Sequence, residues 1–147
     1  MRIKPGKFVL TRTALKTHYR ADYTSEIGNV ALARRSVAGF ATACGFSQSD
    51  IADIRLAAGE ALSNAVEHGS GMPSAGFTVD CSFDGVELRI EIQDSGTGFC
   101  APEIRTTIEP DQRGRGFGIF LMRRLMDDVV FSGNGSIVRL TRRQRKH

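Results

Sequence analysis

Residues 47–69 read SQSDIADIRLAAGEALSNAVEHG, and we interpret the rest of the chain as built around this stretch. Its apolar residues recur every three or four positions, the period of an α-helix with one buried side: Ile51, Ile54, Ala58, Leu62 and Ala65. Ser47, followed three positions later by Asp50, is typical of a polar N-terminal cap, and Gly69 is typical of a helix end. Glu60 and Asn64 lie four residues apart and therefore project from one face of the helix. This pair forms either a site or part of an ordinary solvated face.

The composition favours one globular domain spanning residues 1–147. Of the 147 residues, 41% are hydrophobic and 24% are charged, as in ordinary soluble proteins. No apolar run approaches the roughly 18 residues of a membrane-spanning helix, and the first residues lack the apolar core of a signal peptide. We therefore expect a cytoplasmic protein without membrane contact. The three cysteines form no CxxC pair, which argues against a disulfide framework and against a zinc site.

The positive charge is concentrated at the end of the chain. The net charge of +4 equals the charge of four basic residues among the last six: Arg142, Arg143, Arg145 and Lys146. Residues 142–147 are therefore interpreted as a basic tail on a nearly neutral domain. Such a tail could contact nucleic acid or an acidic partner, or it could be a solvated terminus. We expect the solvated terminus, and nucleic-acid binding is not expected.

The remaining periodicity predicts alternating helices and strands. It indicates an edge strand within 8–23, a helix at 26–44, a hairpin of strands 77–83 and 86–94, a helix at 119–126, and a last hairpin of strands 129–131 and 137–140. A loop of about fifteen residues precedes Arg113, and loops of that length are often functional. This order predicts an α+β two-layer sandwich, with three helices on one face of a mixed, mostly antiparallel sheet.

Two glycine-rich segments adjoin these elements. DSGTGF at 94–99 follows a predicted strand, and GRGFG at 114–118 leads into a predicted helix. Glycine lets backbone N–H groups approach a ligand, and a glycine loop before a helix start suits a phosphate, although hinges and tight turns use glycine too. GxxxxGK[ST], GxGxxG, GxSxG and HExxH are absent, so any nucleotide site must be of another type.

The combination of segments resembles a known superfamily. EALSNA at 60–65, followed by His68 and Gly69, resembles the N-box helix of the ATPases that include gyrase, the Hsp90 chaperone, histidine kinases and the mismatch-repair protein MutL. DSGTGF is similar to their first glycine box and GRGFG to their second. The sequences GEALSNAVEHG at 59–69 and LMDDV at 125–129 resemble segments of the anti-sigma-factor serine kinases of bacteria. The resemblance covers roughly residues 25–140 and implies a Bergerat-type ATP-binding fold.

The resemblance implies roles for individual residues. Asn64 would ligate the Mg²⁺ that bridges the ATP phosphates, and Glu60 would be the general base for an attacking serine hydroxyl. Asp94 would accept a hydrogen bond from the adenine amino group, with Gly96 and Gly98 allowing the base to approach. Phosphoryl transfer requires mainly positioning and charge neutralisation, which a metal ligand and backbone donors supply.

Further roles are implied for the phosphate side and for the far end of the chain. The glycines that would wrap the phosphates are Gly114, Gly116 and Gly118. The family places an arginine near the γ-phosphate, and both Arg113 and Arg115 lie close enough for this role. The late Gly-Thr of the family corresponds to Gly135 and Ser136, which keeps a hydroxyl near the adenine. His68 faces either the phosphates or the carbonyls at its own helix end.

The implied function is that of an ATP-dependent serine/threonine protein kinase and anti-sigma factor. It would phosphorylate a serine of an anti-anti-sigma antagonist and sequester a sigma factor, and it would form a homodimer. The alternative is a nucleotide-gated binding module of the same fold that transfers no phosphate. A binding module should tolerate the loss of Glu60 and lose nucleotide when Asn64 is replaced.

Overall fold

The structure, a computed structural model, contains three helices and six strands and describes residues 7–11, 16–69, 76–94 and 115–145. The helices are α1 (Ile27–Ala43), α2 (Gln48–Gly69) and α3 (Arg115–Leu125). The strands are β1 (Lys7–Thr11), β2 (Lys16–Thr24), β3 (Gly76–Phe83), β4 (Glu87–Asp94), β5 (Asp128–Ser132) and β6 (Ile137–Arg143). A short 3₁₀ turn, Gly133–Gly135, connects β5 to β6.

The strands form one sheet in the order β1-β2-β3-β4-β6-β5. Every pairing of neighbours within the described strands is antiparallel, so the sheet is antiparallel throughout rather than mixed. Because successive residues of a strand point to opposite faces, β3 and β4 bury every second side chain against the helices. The predicted α+β fold with two layers is confirmed.

The core lies between the helices and the inner face of the sheet. The predicted apolar stripe of α2 is in this core, with Ile54, Ala58 and Leu62 fully buried. They pack in one cluster with inner-face residues of the sheet such as Ile90 and Leu140. Burying a leucine or isoleucine side chain stabilises a fold by roughly 1.5–3 kcal/mol, so this stripe fixes α2 firmly on the sheet.

The start of α2 follows the predicted capping pattern. The backbone N–H of Asp50 donates a hydrogen bond to Ser47 Oγ at 3.1 Å, which satisfies one of the N–H groups left free at a helix start. Gly45, with a φ of 86°, lies between α1 and α2. The left-handed conformation there allows the chain to reverse direction after α1.

Three predicted boundaries differ from the structure. The single strand within 8–23 is two antiparallel strands, β1 and β2. The last helix begins at Arg115 rather than at residue 119. The sequence pattern missed its first turn because the two glycines there have low helix propensity. The interpretation of residues 142–147 as a tail was wrong for the first two of them, which belong to β6. Arg142 continues the inward alternation of Val138 and Leu140 and is only 7% exposed.

Two other predictions concern membranes and cysteines. Within the described residues, no helix is both long and apolar enough to span a bilayer.

Cys44 and Cys81 are free thiols, and burial raises the pKa of Cys44 to about 11 and shifts that of Cys81 upward as well. Both cysteines are therefore uncharged near neutral pH and contribute to packing.

Candidate functional site

Helix α2 places Glu60 directly against the first turns of α3. A methyl group built on Gly118 would lie 2.8 Å from Glu60 Oε2, closer than real Cβ atoms approach a neighbour. Glycine at position 118 therefore makes room for this carboxylate. Within the described residues, Glu60 makes no ion pair or hydrogen bond. Its oxygens are free to accept a proton from an incoming group.

A pocket opens beside Asn64, one helical turn further along α2. It has a volume of about 10 Å³ and lies between α2, α3, β4 and the hairpin of β5 and β6. Its polar groups belong to Asn64, Asp94 and Ser136. Its walls are otherwise apolar or small: Ala61, Ala65, Ile92, Met122, Phe131, Gly135 and Val138. Ala61 and Ala65 are the small side chains that line it on the α2 side.

Asp94 lies at the end of β4 and is 5% exposed. Its backbone N–H donates to the carbonyl of Ser136 at 2.9 Å, which connects the end of β4 to the turn before β6. Ser136 Oγ donates to the carbonyl of Gly133 at 2.7 Å, so its lone pairs remain available to a ligand. A buried carboxylate and a hydroxyl acceptor at one end of an apolar pocket suit a ligand that carries an amino group.

The structure brings together most of the predicted residues that it describes. Asn64, Asp94 and Ser136 share the pocket, and Glu60 meets Gly118 beside it. Gly116 lies in the first turn of α3, Arg115 begins that helix, and His68 lies in the last turns of α2. Four predicted residues lie outside the described part of the chain: Gly96, Gly98, Arg113 and Gly114.

Sequence reasoning missed residues at both ends of this region. Met122 and Phe131 line the pocket, and their apolar spacing predicted a helix and a strand without showing what they face. Arg142 donates hydrogen bonds to Asp50 and Asp53 at the opposite end of α2. The alternation of β6 could have indicated that Arg142 points inward, but no sequence pattern indicates its partners.

The pocket is smaller than a site that encloses a whole nucleotide. Sites that enclose complete small ligands usually measure about 300–1,000 Å³, which exceeds the volume found here. Within the described residues, no group of three or more His, Cys, Asp or Glu side chains could hold a metal. Any Mg²⁺ would need ligands from the phosphates, which is common for this ion.

Several known proteins are similar in sequence to this chain. A family model described as the histidine kinase-like ATPase domain matches residues 23–142. A serine-protein kinase RsbW of Listeria innocua is 34% identical over 109 residues, which span 68% of this chain and 69% of that protein. An anti-sigma F factor of a Thermoanaerobacter species is 30% identical over 130 residues, or 82% of this chain and 90% of that protein.

A solved structure shares the fold. The crystal structure of the RsbU and RsbW domains of Rv1364c from Mycobacterium tuberculosis superposes with a TM-score of 0.61 at 21% identity, and covers 97% of this chain. This chain spans 34% of that larger chain. The motif resemblance is thus confirmed by the family model, by the relatives and by the fold. The chain belongs to the histidine kinase-like ATPase domain family, in the group that includes the serine-protein kinases RsbW and the anti-sigma F factors.

Proposed function

We propose that this protein is an ATP-dependent serine/threonine kinase and anti-sigma factor, which phosphorylates a serine of an anti-anti-sigma protein and sequesters a sigma factor. One observation carries the proposal: Glu60, which makes no ion pair or hydrogen bond within the described residues, lies against Gly118, one turn from Asn64, and Asn64 shares a pocket with Asp94. The names of the relatives, serine-protein kinase and anti-sigma F factor, support it.

Each described site residue has a part in this reaction. ATP supplies the phosphoryl group when bound. Asp94 accepts a hydrogen bond from the adenine amino group, and the apolar walls of the pocket exclude water from the base. The Asn64 amide makes no hydrogen bond within the described part of the chain, so its oxygen is free to hold Mg²⁺. An amide suits an ion that takes its other ligands from phosphates and water.

Glu60 is the general base of the proposed reaction. It would accept the proton of the serine hydroxyl as that oxygen attacks the γ-phosphorus, while the bond from that phosphorus to the β–γ bridging oxygen breaks and ADP leaves. Gly118 leaves the space in which the carboxylate can meet the hydroxyl. General-base catalysis of this kind contributes about 10²–10⁴ in rate. The glycines at the start of α3 present backbone N–H groups near the phosphates, as helix starts do for anions.

The partners follow from the same proposal. A sigma factor and an anti-anti-sigma antagonist are the two protein partners, and a homodimer in the cytoplasm is the expected assembly. Nucleic-acid binding is not part of the proposal; Arg142, one of the four basic residues near the end of the chain, is buried and paired.

The decisive experiment uses ATP labelled at the γ-phosphate together with an anti-anti-sigma protein. We expect transfer of label to a serine of that protein, and transfer should fail with Glu60→Ala although ATP still binds. Asn64→Ala should lose ATP binding as well. ATP binding without transfer by the wild-type protein would contradict the kinase proposal and favour a nucleotide-gated binding module.

A further inference from the structure

The guanidinium of Arg142 lies inside the protein, at the opposite end of α2 from the pocket. Its side chain is 9% exposed. It donates hydrogen bonds to Asp50 Oδ1 at 2.5 Å, to Asp53 Oδ2 at 3.2 Å and to the backbone carbonyl of Leu125. One side chain of β6 therefore holds the first turns of α2 and the last residue of α3.

The other arginine ion pairs of the described residues are different. Arg20, Arg89 and Arg143 pair with carboxylates while their own side chains are 51–69% exposed. Such surface pairs contribute about 0–1 kcal/mol. A buried guanidinium with two carboxylates and a carbonyl is costly to desolvate, so its geometry must be good for it to persist. A carbonyl at a helix C-terminus lacks an intrahelical partner, and a cation there is favourable.

The spacing of the two helices links this cluster to the proposed site. Asp53 and Glu60 are seven residues apart on α2, and Gly118 and Leu125 are seven residues apart on α3. Seven residues correspond to about 10.5 Å along a helix. Glu60 contacts Gly118 at one end of the helix pair. At the other end, Arg142 joins Asp53 to Leu125. The two helices therefore run in opposite directions and are held together at both ends.

We propose that Arg142, held by Asp50 and Asp53, is a positioning residue that sets the axial position of α3 on α2. It thereby sets the distance between Gly118 and the Glu60 carboxylate, and the place of the glycine-rich helix start beside the phosphates. This proposal rests on the proposed kinase function, because it concerns the base of that reaction. Arginine is required, because the planar fork reaches three acceptors at once and a lysine ammonium is a single point charge.

The test uses Arg142→Lys, which keeps the positive charge and removes the planar guanidinium group. Val30→Ala in α1 is the matched control for lost stability. Each variant is assayed at the same number of degrees below its own melting temperature. Single-turnover transfer from ATP to the accepting anti-anti-sigma protein is measured with both, together with the Kd for ATP. We expect Arg142→Lys to slow transfer about ten-fold with the Kd changed less than three-fold, and Val30→Ala to change neither by more than two-fold.

A double-variant comparison separates positioning from general weakening. In a Glu60→Gln background the base is absent, so adding Arg142→Lys should slow transfer by less than two-fold. Equal ten-fold losses in both backgrounds, or equal losses in Arg142→Lys and Val30→Ala, would overturn the proposal.

Amide hydrogen exchange of α3 gives a readout independent of activity. We expect exchange within Arg115–Leu125 to be about ten-fold faster in Arg142→Lys than in Val30→Ala. If the wild-type protein transfers no phosphate, the kinase proposal fails by itself, and the exchange rates decide whether Arg142 holds α3. Equal exchange in the two variants would show that it does not.

Discussion

The two ends of the contact between α2 and α3 hold a carboxylate in opposite ways. Asp53 faces the guanidinium of Arg142, with 3.2 Å between Oδ2 and the nitrogen. Glu60, two turns further along α2, faces Gly118 and makes no ion pair within the described residues. A paired carboxylate uses lone pairs to accept hydrogen bonds from its partner, whereas one without a partner keeps them for an incoming group. One end therefore stabilises the helix pair, and the other is suited to chemistry.

The largest expected effect comes from breaking the paired end. Arg142→Met removes the cation and leaves Asp50, whose side chain is 13% exposed, without its ion-pair partner. Removing one partner of a buried pair costs about 3–5 kcal/mol. Urea unfolding followed by circular dichroism should show this loss of unfolding free energy. A loss below about 1 kcal/mol would mean that the cluster contributes little to the fold.

The next effect comes from filling the space at the other end. Gly118→Ala places a methyl group 2.8 Å from the present position of Glu60 Oε2, so the carboxylate must move. We expect transfer to slow by about ten- to hundred-fold, equivalent to roughly 1.4–2.7 kcal/mol of barrier. Stability should not fall, because alanine in a helix is better than glycine by about 0.8–1 kcal/mol and a carboxylate end moves easily.

Gly39→Ala is the matched control for that prediction. Gly39 lies in the interior of α1, and a methyl group there meets nothing within 4 Å. This variant should gain a similar stability and keep the wild-type transfer rate. If Gly118→Ala also kept the wild-type rate, the contact between Gly118 and Glu60 would have no role in catalysis.

A smaller effect is expected at an exposed arginine next to the buried one. Arg143 pairs with Glu87 at 3.1 Å, but its side chain is 69% exposed. Arg143→Ala should therefore cost no more than about 1 kcal/mol in urea unfolding. If Arg143→Ala lost as much unfolding free energy as Arg142→Met, burial would not be the reason that the ion pair of Arg142 stabilises the fold.

The smallest effect concerns a carboxylate held by backbone groups instead of a cation. The N–H groups of Glu87 and Val86 donate to Asp84 Oδ1, and they lower its pKa below the ordinary 3.8. Because the folded-state pKa is the lower one, this stabilisation is present above pH 3.8 and is lost as the pH falls through the folded-state value. Unfolding free energies measured from pH 7 to pH 3 should show Asp84→Asn slightly less stable at pH 7, with the difference shrinking in acid.

The local parts of this fold could be predicted from the sequence. The hairpin of β3 and β4 follows from strict alternation around Asp84 and Gly85, and α2 follows from its apolar stripe and its Ser47 cap. Glu60, Asn64 and Asp94 were identified because their motifs resemble those of a known ATPase superfamily; helix spacing alone left Glu60 and Asn64 open as a solvated face. The structure adds that Asn64, Asp94 and Ser136 share one pocket.

The long-range parts could not be predicted, because they depend on tertiary contacts. Arg142 lies 92 residues from Asp50 and 89 from Asp53 in sequence, and nothing local signals those pairings. Among four basic residues near the end of the chain, a buried arginine looks the same as solvated ones. Likewise, Gly118 is visible as a glycine of a phosphate-loop pattern, but its closeness to Glu60 depends on how α3 packs on α2.

The most direct test compares the two carboxylates of α2 in one experiment. Single-turnover transfer from ATP to the serine of an anti-anti-sigma protein is measured with Glu60→Gln and with Asp53→Asn, and the Kd for ATP is measured for both. The account predicts that Glu60→Gln slows transfer by about 10²–10⁴ with the Kd changed less than three-fold, and that Asp53→Asn slows it less than ten-fold. A Glu60→Gln protein that transfers phosphate at the wild-type rate would contradict the account.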